Sequence, residues 1–172
     1  MNETRRNVAR IVALIVFLVL VPILLARFWD GPFGIIPGGP FSSGAIVEGS
    51  EPDWSFVRDI DEVELQLLEP PRSRTTWIVE HEGSAYIACG YMGTALGRIW
   101  KRWPHDAVED GRALLRIGDR IYPRRLVRIE EGPVVPAILA RLNDKYVHAD
   151  APMPVEAVRR GEIWLFALAP PG

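Results

Sequence analysis

The sequence predicts a mainly β protein, built as a partly closed antiparallel β-barrel and preceded by one N-terminal transmembrane helix. Three observations carry this prediction: a long apolar run near the N-terminus, a strictly alternating segment at 62–69, and several short β-branched and aromatic segments separated by turn residues. Alternation with a period of two marks strands buried on one face. Hairpins between such strands favour an antiparallel barrel over a parallel sheet.

Residues 1–27 are predicted to form a cytoplasmic N-terminus and a membrane anchor. The run 8–26 carries one charge near its start, and a spanning helix needs about 20 apolar residues. A cleaved signal peptide would end in a small-x-small site, whereas this run ends in LLARFWDG. Because Arg5, Arg6 and Arg10 precede or open the run, the positive-inside rule predicts a single-pass inner-membrane protein with a cytoplasmic N-terminus and a periplasmic domain.

The composition excludes some classes of binding partner and leaves others open. The chain has 20 Lys and Arg against 22 Asp and Glu, so no nucleic-acid partner is expected. Cys89 is the single cysteine; it cannot form an intramolecular disulfide and is predicted to be a small core residue. The three histidines are scattered without ligand spacing, and no metal site is predicted. A small-molecule ligand and a homodimer are left open.

Residues 28–61 are predicted to be a linker followed by an extended arm. The segment 31–40 is rich in Pro and Gly, which excludes a helix or a central strand. Polar turn residues then surround Trp54 and Phe56, whose rings are expected to be buried against the barrel. The barrel domain is expected to occupy 62–172.

The elements of the barrel domain follow in order from residue 62. Strands are predicted at 62–69, 75–81, 84–89 and 162–168, with two more flanking the turn Gly118-Asp119. Two or three short helices are predicted as well. Pro104 fits the first turn of one and Gly111 its end, while apolar residues at helical spacing predict others within 133–146 and 153–160.

Two clusters of residues could bind an anion. The first, predicted to lie between the first two long strands, comprises Arg72, Ser73, Arg74, Thr75 and Thr76. Guanidinium groups, hydroxyls and turn N–H groups together bind phosphate or carboxylate. The alternative is a solvated loop.

The second cluster lies in RIWKRWPH. Lys101 and Arg102 supply charge beside Trp100 and Trp103, whose rings could stack on a flat ligand, and His105 follows. The alternative is that both tryptophans pack the helix onto the barrel. A third basic group, at positions 124, 125 and 128, is expected to be an exposed strand edge protected by charge.

The segment 96–129, LGRIWKRWPHDAVEDGRALLRIGDRIYPRRLVRI, carries a family resemblance. Its basic loop, capped helix and hairpin resemble the FMN-binding split-barrel (pyridoxamine-phosphate-oxidase-like) superfamily, nearest the deazaflavin-dependent nitroreductase-like branch. The matching pattern there is a hairpin, a K/R-W-x-x-N/D loop-helix, a D-P/G-R-v-x-L-R-I-G segment and another hairpin strand. This chain has His105-Asp106 where the family often has Asn.

The resemblance implies an antiparallel split β-barrel that holds FMN or a deazaflavin, with the cofactor phosphate against the first cluster and its ring beside the second. The implied function is a membrane-anchored flavin- or deazaflavin-dependent oxidoreductase, in which the cofactor supplies the chemistry. No catalytic residue is identified. Two alternatives are open: a non-catalytic binding module with the same fold, favoured by the outward orientation, and a haem-binding split barrel that uses His105.

Overall fold

The computed structural model describes residues 3–90, 92, 102–151 and 153–171. Within them, six antiparallel strands close a barrel in the order β6-β5-β2-β3-β4-β7, with β7 pairing back onto β6; β1 lies outside and pairs with β6 in parallel. The strands are β1 (Ala45–Ile46), β2 (Glu62–Leu68), β3 (Pro71–His81), β4 (Ser84–Cys89), β5 (Arg112–Ile117), β6 (Arg120–Ile129) and β7 (Trp164–Ala169). The predicted mainly β barrel is confirmed, and its ring of strands is closed.

The barrel interior is filled by the residues that the alternation of β2 predicts. Val63, Leu65 and Leu67 point inward and are buried, while Glu62 and Glu64 stand on the outer face. These inward side chains pack in one core cluster with others from every strand of the barrel. The alternation in the sequence therefore predicts correctly which residues of β2 face the barrel interior.

Four α-helices accompany the barrel in the described part of the chain. They are α1 (Glu3–Leu25), α2 (Trp103–Glu109), α3 (Val134–Leu142) and α4 (Val155–Arg159). Pro104 occupies the first turn of α2, as predicted. Gly111 lies just past the end of α2, after the C-cap residue Asp110, as predicted, and a Cβ at Gly111 would lie 2.5 Å from the carbonyl oxygen of Leu126. The glycine lets the chain pass against β6.

Helix α3 packs on the outside of the barrel, where its four buried apolar residues contact Val79 and Leu165 in a second core cluster. It continues into a π-helical turn, Asn143–Val147. Lys145 in this turn donates from Nζ to the carbonyl oxygens of Val57 (3.0 Å), Ile60 (2.5 Å) and Ile78 (3.1 Å). One ammonium group thus satisfies three carbonyls where β2 begins.

The predicted arm is only partly correct. Residues Trp54–Asp59 form a 3-10 helix rather than an extended segment, and Trp54 is 1% exposed while Phe56 is 42% exposed. A 3-10 helix has three residues per turn, so Trp54 and Val57 share the face that enters the barrel and Phe56 turns outward. The expectation that both aromatic rings are buried was therefore wrong for Phe56.

The predicted basic edge at 124–128 was wrong. Strand β6 is hydrogen-bonded to both β5 and β7, so it has no free edge within the barrel. Arg124 is 7% exposed and forms an ion pair with Glu51, 2.5 Å between Nη1 and Oε2. The error has a physical cause, since local sequence does not reveal which strand closes a barrel.

Residues 26–43, here called the strap, connect α1 to the barrel and lie against its outer face. The backbone N–H of Gly39 donates to the carbonyl oxygen of Trp29 (3.1 Å), and Gly38 forms a β-bridge with Ser73 of β3. A Cβ at Gly38 would lie 1.7 Å from the carbonyl oxygen of Gly31, so only glycine permits this fold-back. The glycines of the linker make it compact.

Arg116 of β5 fastens the strap to the barrel. Its Nε donates to Glu64 Oε2 (2.5 Å) and its Nη1 to Asp30 Oδ1 (2.8 Å). The guanidinium carbon lies 4.2 Å from the ring centroid of Phe41, and Nη1 also reaches the carbonyl oxygen of Ser43 (3.2 Å). The buried arginine thus joins one barrel carboxylate to three residues of the strap.

Stability is expected to fall in acid as Asp30 becomes protonated. Burial raises the pKa of Asp30, but hydrogen bonds from Ser43, the Ser42 N–H and Arg116 outweigh it and lower the pKa from 3.8 to about 2. A carboxyl with a lowered folded-state pKa contributes stability above its unfolded value, and this is lost as pH falls through the folded value. The loss between pH 4 and pH 2 should be about 1–2 kcal/mol, measured by chemical unfolding of the full chain.

Asp30→Asn should flatten this acid limb, and Asp150→Asn, in an exposed turn, is the matched control. An unchanged acid limb in Asp30→Asn would contradict the role given to Asp30.

Helix α1 is the one helix in the described residues that is long and apolar enough to cross a membrane. The candidate span is Arg5–Phe28, and its most apolar stretch has a mean hydropathy of 3.0 and is not buried against the rest of the chain. An exposed apolar helix of this length is the form that a bilayer requires.

Candidate functional site

The barrel wall splits between β3 and β4. Strand β3 pairs with β2 over residues 71–77 and with β4 over 78–81, while β4 continues beyond Ile87 with β7 as its partner. The two strands therefore diverge past the pair Ile78–Ile87. A cleft of about 350 Å³ opens there between Thr75–Trp77 on one side and Ala88–Gly90 on the other.

The cleft runs from the protein surface to the core. Gly34 and Ile35 of the strap and Glu62 of β2 form its rim, and Trp103 of α2 lines its inner part. Thr76, paired in register with inward-facing Val63, points toward the interior and is buried. The cleft therefore offers an aromatic and hydroxyl-bearing inner part, and a rim that combines the apolar Ile35 with the carboxylate of Glu62.

The five residues of the first predicted cluster lie in β3 itself rather than in a loop. Strand geometry places Arg72, Arg74 and Thr76 on the inner face, opposite β2 residues of the barrel interior, and Ser73 and Thr75 on the outer face. The predicted loop between strands is wrong, because β2 and β3 are joined by a tight turn at Glu69–Pro70. A strand cannot present five consecutive side chains to one ligand.

The outward residues of this cluster bind the strap. Ser73 Oγ donates to the carbonyl oxygen of Gly39 (2.6 Å) and Thr75 Oγ1 to that of Gly34 (2.9 Å). Arg72, although its position in the strand faces inward, also reaches the carbonyl oxygen of Pro37 with Nη2 at 3.4 Å. These side chains thus hold the strap beside the cleft.

Arg74 does not line the cleft itself but lies next to its inner part, against the lining residue Trp103. Its partner in register is Leu65, so the side chain points inward, and its guanidinium carbon lies 5.5 Å from the ring centroid of Trp103. Its Nε is buried without a hydrogen-bond acceptor among the described residues. Burial lowers the pKa of Arg74 to about 10, with Asp106 opposing and Arg72 adding to this effect. The group therefore stays charged at neutral pH.

The two tryptophan rings that line the cleft differ in how much of their surface is exposed. Trp103 is 7% exposed, with Arg74 over its ring and Phe166 at 5.5 Å between centroids, so it mainly packs α2 onto the barrel. Trp77 is 42% exposed and lines the cleft. It stacks on Tyr146, with centroids 4.6 Å apart and planes 6° from parallel.

Tyr146 is held firmly behind Trp77. Its hydroxyl lies 2.6 Å from the carbonyl oxygen of Ile78 and 2.7 Å from that of Asp61. Burial raises the pKa of Tyr146 to about 12, so the hydroxyl remains protonated and can donate. The position of the Trp77 ring is thereby fixed.

The second predicted cluster is divided by the structure. Arg102 is exposed, and its carbonyl oxygen accepts the N–H groups of His105 and Asp106 in the first turn of α2. His105 meets Trp164 edge to face, with 4.6 Å between the ring centroids, and the guanidinium carbon of Arg128 lies 3.5 Å from the centroid of the Trp164 ring. Trp100 and Lys101 lie outside the described residues.

The structure thus brings Arg74 of the first cluster into contact with Trp103 of the second. Ser73 and Thr75 bind the strap instead, and Arg102 is exposed. Sequence reasoning missed Trp77 and Ile35 as lining residues. Trp77 carried a usable signal, because a large aromatic residue on the solvent side of an alternating strand often marks a binding surface. No comparable signal marked Ile35.

No protein-family model matches the chain, and comparison with curated proteins finds no significant match. A barrel of this kind does not by itself identify the FMN-binding split-barrel superfamily, so membership of that superfamily stays a prediction.

Proposed function

We propose that the chain is a membrane-anchored β-barrel that binds a small anionic ligand in the cleft between β3 and β4. The observation that carries the proposal is Arg74, a mostly buried and charged side chain against the lining residue Trp103. Its Nε has no acceptor among the described residues; the Nε of Arg124 lacks one too, but Arg124 has an ion pair with Glu51. An unsatisfied buried donor costs about 1–3 kcal/mol. A ligand oxygen would remove that cost.

The other buried arginines of the barrel support this reading of Arg74. Arg116 forms ion pairs with Glu64 and Asp30, and Arg124 forms one with Glu51. Each of them is neutralised by carboxylates of the chain itself, as the burial of a charge normally requires. Among the described residues, Arg74 forms no ion pair with a carboxylate, and Asp106 acts on it only from a longer distance. A role in binding explains the difference.

The chemistry of the cleft suits a small phosphorylated or carboxylated molecule. Guanidinium groups bind such anions through charge-assisted hydrogen bonds, and the Thr76 hydroxyl stands on the same face of the strand. The volume, about 350 Å³, falls in the range of small-ligand pockets. The cleft is therefore large enough for a metabolite or a head group.

Arg74→Gln is expected to weaken binding of pyrophosphate and of FMN by the full chain about tenfold or more, the loss of one charge-assisted hydrogen bond. The same change should raise the stability of the ligand-free protein by about 1–2 kcal/mol, because it removes an uncompensated buried charge. Calorimetric titration and chemical unfolding of the detergent-solubilised protein measure the two effects.

Arg159→Gln, on the exposed face of α4, removes the same charge away from the cleft and should change neither quantity. A destabilised Arg74→Gln protein with unchanged affinity for both probes would make Arg74 a structural residue and overturn the proposal.

A flavin- or deazaflavin-dependent oxidoreductase is the second candidate, and Trp77 favours it. Trp77 is a fixed, partly exposed ring at the wall of the cleft, and flat cofactor rings stack on such faces. Arg74 and Thr76 would hold the phosphate and Trp77 the ring, and the bound cofactor would supply hydride transfer. Binding of FMN much tighter than pyrophosphate, with a flavin absorbance band in the purified protein, would favour this candidate.

We further propose that α1 anchors the chain with its N-terminus in the cytoplasm and the barrel outside. A reporter fused after the C-terminus should be active only outside the cytoplasm, and the full-length mass should be retained in the membrane fraction. The reason is the excess of arginine before the apolar segment. Cytoplasmic reporter activity would reverse the orientation, and a soluble product beginning near residue 27 would remove the anchor.

A further inference from the structure

We infer that the ligand of the cleft is the anionic head group of a membrane amphiphile, whose chain stays in contact with the bilayer along the strap. This inference rests on the proposed function. It adds the class of ligand and the direction from which the ligand enters.

The rim of the cleft belongs to the segment that follows the apolar helix. Helix α1 ends at Leu25, and Gly34 and Ile35 line the cleft ten residues later. Thr75 Oγ1 donates to the carbonyl oxygen of Gly34 at 2.9 Å, so the rim is bonded to the strand that forms the cleft wall. The opening of the cleft is therefore attached to the stretch of chain nearest the proposed membrane surface.

This stretch exposes apolar side chains that the barrel does not cover. Phe28, Phe33 and Ile35 are 75%, 67% and 91% exposed, and Trp29 meets Phe33 edge to face at 5.7 Å. Large apolar residues gathered next to a spanning helix are typical of the membrane–water interface. Ile35 alone among these also lines the cleft.

A ligand with two chemical ends accounts for both ends of the cleft. A free anion would use Arg74 and leave the exposed Ile35 without a role. A neutral lipid would use Ile35 and leave the Arg74 charge uncompensated. An anionic lipid, with its head group near Arg74 and its first chain carbons on Ile35, satisfies the two together.

The test uses the full chain in discs of phosphatidylcholine that contain a minority of phosphatidylglycerol, and native mass spectrometry to identify the lipid retained at one copy per protein. Phosphatidylglycerol should be enriched about tenfold or more over its share of the bilayer. Arg74→Gln should abolish the enrichment, and Ile35→Ser should reduce it about fivefold through lost apolar contact. Val127→Ser, an exposed apolar position on β6, is the control for Ile35→Ser and should change nothing.

A parallel titration with glycerol 3-phosphate separates the two sources of the anion. Binding of this soluble probe that depends on Arg74, without enrichment of phosphatidylglycerol, would overturn the lipid inference and leave the proposed function standing. Enrichment that persists in Arg74→Gln would place the lipid elsewhere and also overturn the inference. If neither probe depends on Arg74, both proposals fail.

Discussion

Replacing Arg116 with Met is expected to lower the free energy of unfolding by about 3 kcal/mol, as for other buried ion pairs that lose one partner. The substitution removes two ion pairs at once and leaves Glu64 and Asp30 facing each other without the cation between them. Each carboxylate keeps about a third of its side chain exposed and can partly recover its hydration, which places the effect at the lower end of the usual range. Chemical unfolding of the full chain measures it.

Arg112→Met is the matched control for Arg116→Met. Arg112 lies on the same strand and pairs with Asp110 at 2.6 Å, but its side chain is mostly exposed. Exposed ion pairs contribute little, so the unfolding midpoint should barely move. Equal effects of the two substitutions would show that the connection between strap and barrel contributes nothing beyond an ordinary surface charge.

Trp54→Ala should destabilise the protein by about 3–5 kcal/mol, the usual result of removing a buried aromatic ring. Trp54 closes the barrel near the β3–β4 turn. Its backbone N–H donates to the carbonyl oxygen of Gly83 (3.1 Å), and its indole N–H donates to Glu51 Oε1 (2.7 Å). The guanidinium carbon of Arg124 lies 4.9 Å from the centroid of the Trp54 ring, and the centroid of the Tyr122 ring lies 5.2 Å from it. The truncation would leave a cavity beside the Arg124–Glu51 pair and admit water to it.

Phe56→Ala tests whether this effect belongs to burial. Phe56 stacks on Trp54 at 5.6 Å but faces outward, so its removal should have a much smaller effect in the same unfolding measurement. A loss of stability in Phe56→Ala as large as that in Trp54→Ala would mean that stacking of the two rings, rather than burial of Trp54, stabilises this end of the barrel.

Local patterns predicted most elements of the fold. The alternation at 62–69, the Gly118-Asp119 turn and the Pro104 helix start each depend on neighbouring residues, and each was found within a residue or two of its predicted place. Features that depend on which strands become neighbours were missed. The start of β3 at Pro71 and the central position of β6 follow from pairing across the barrel, which no local pattern specifies.

The candidate site shows the same division. Arg74 and Trp103 could be named as candidates from their chemistry, since buried or clustered cations and tryptophans suit anionic ligands. The cleft itself arises where β4 leaves β3 for β7, and its rim comes from a strap distant in sequence. Neither the divergence of two strands nor the docking of the strap is encoded in a spacing of residues.

The attachment of the strap gives the barrel a fixed tether. A free linker of ten residues would let its ends separate by about 18 Å and let the domain tumble above the bilayer. Here the backbone after α1 is bonded to β3 at Gly38 and clasped by Arg116 at Asp30, so it has almost no slack. With α1 as the proposed anchor, the barrel is therefore expected to stay at one distance from the membrane and to keep one face of its wall turned toward it.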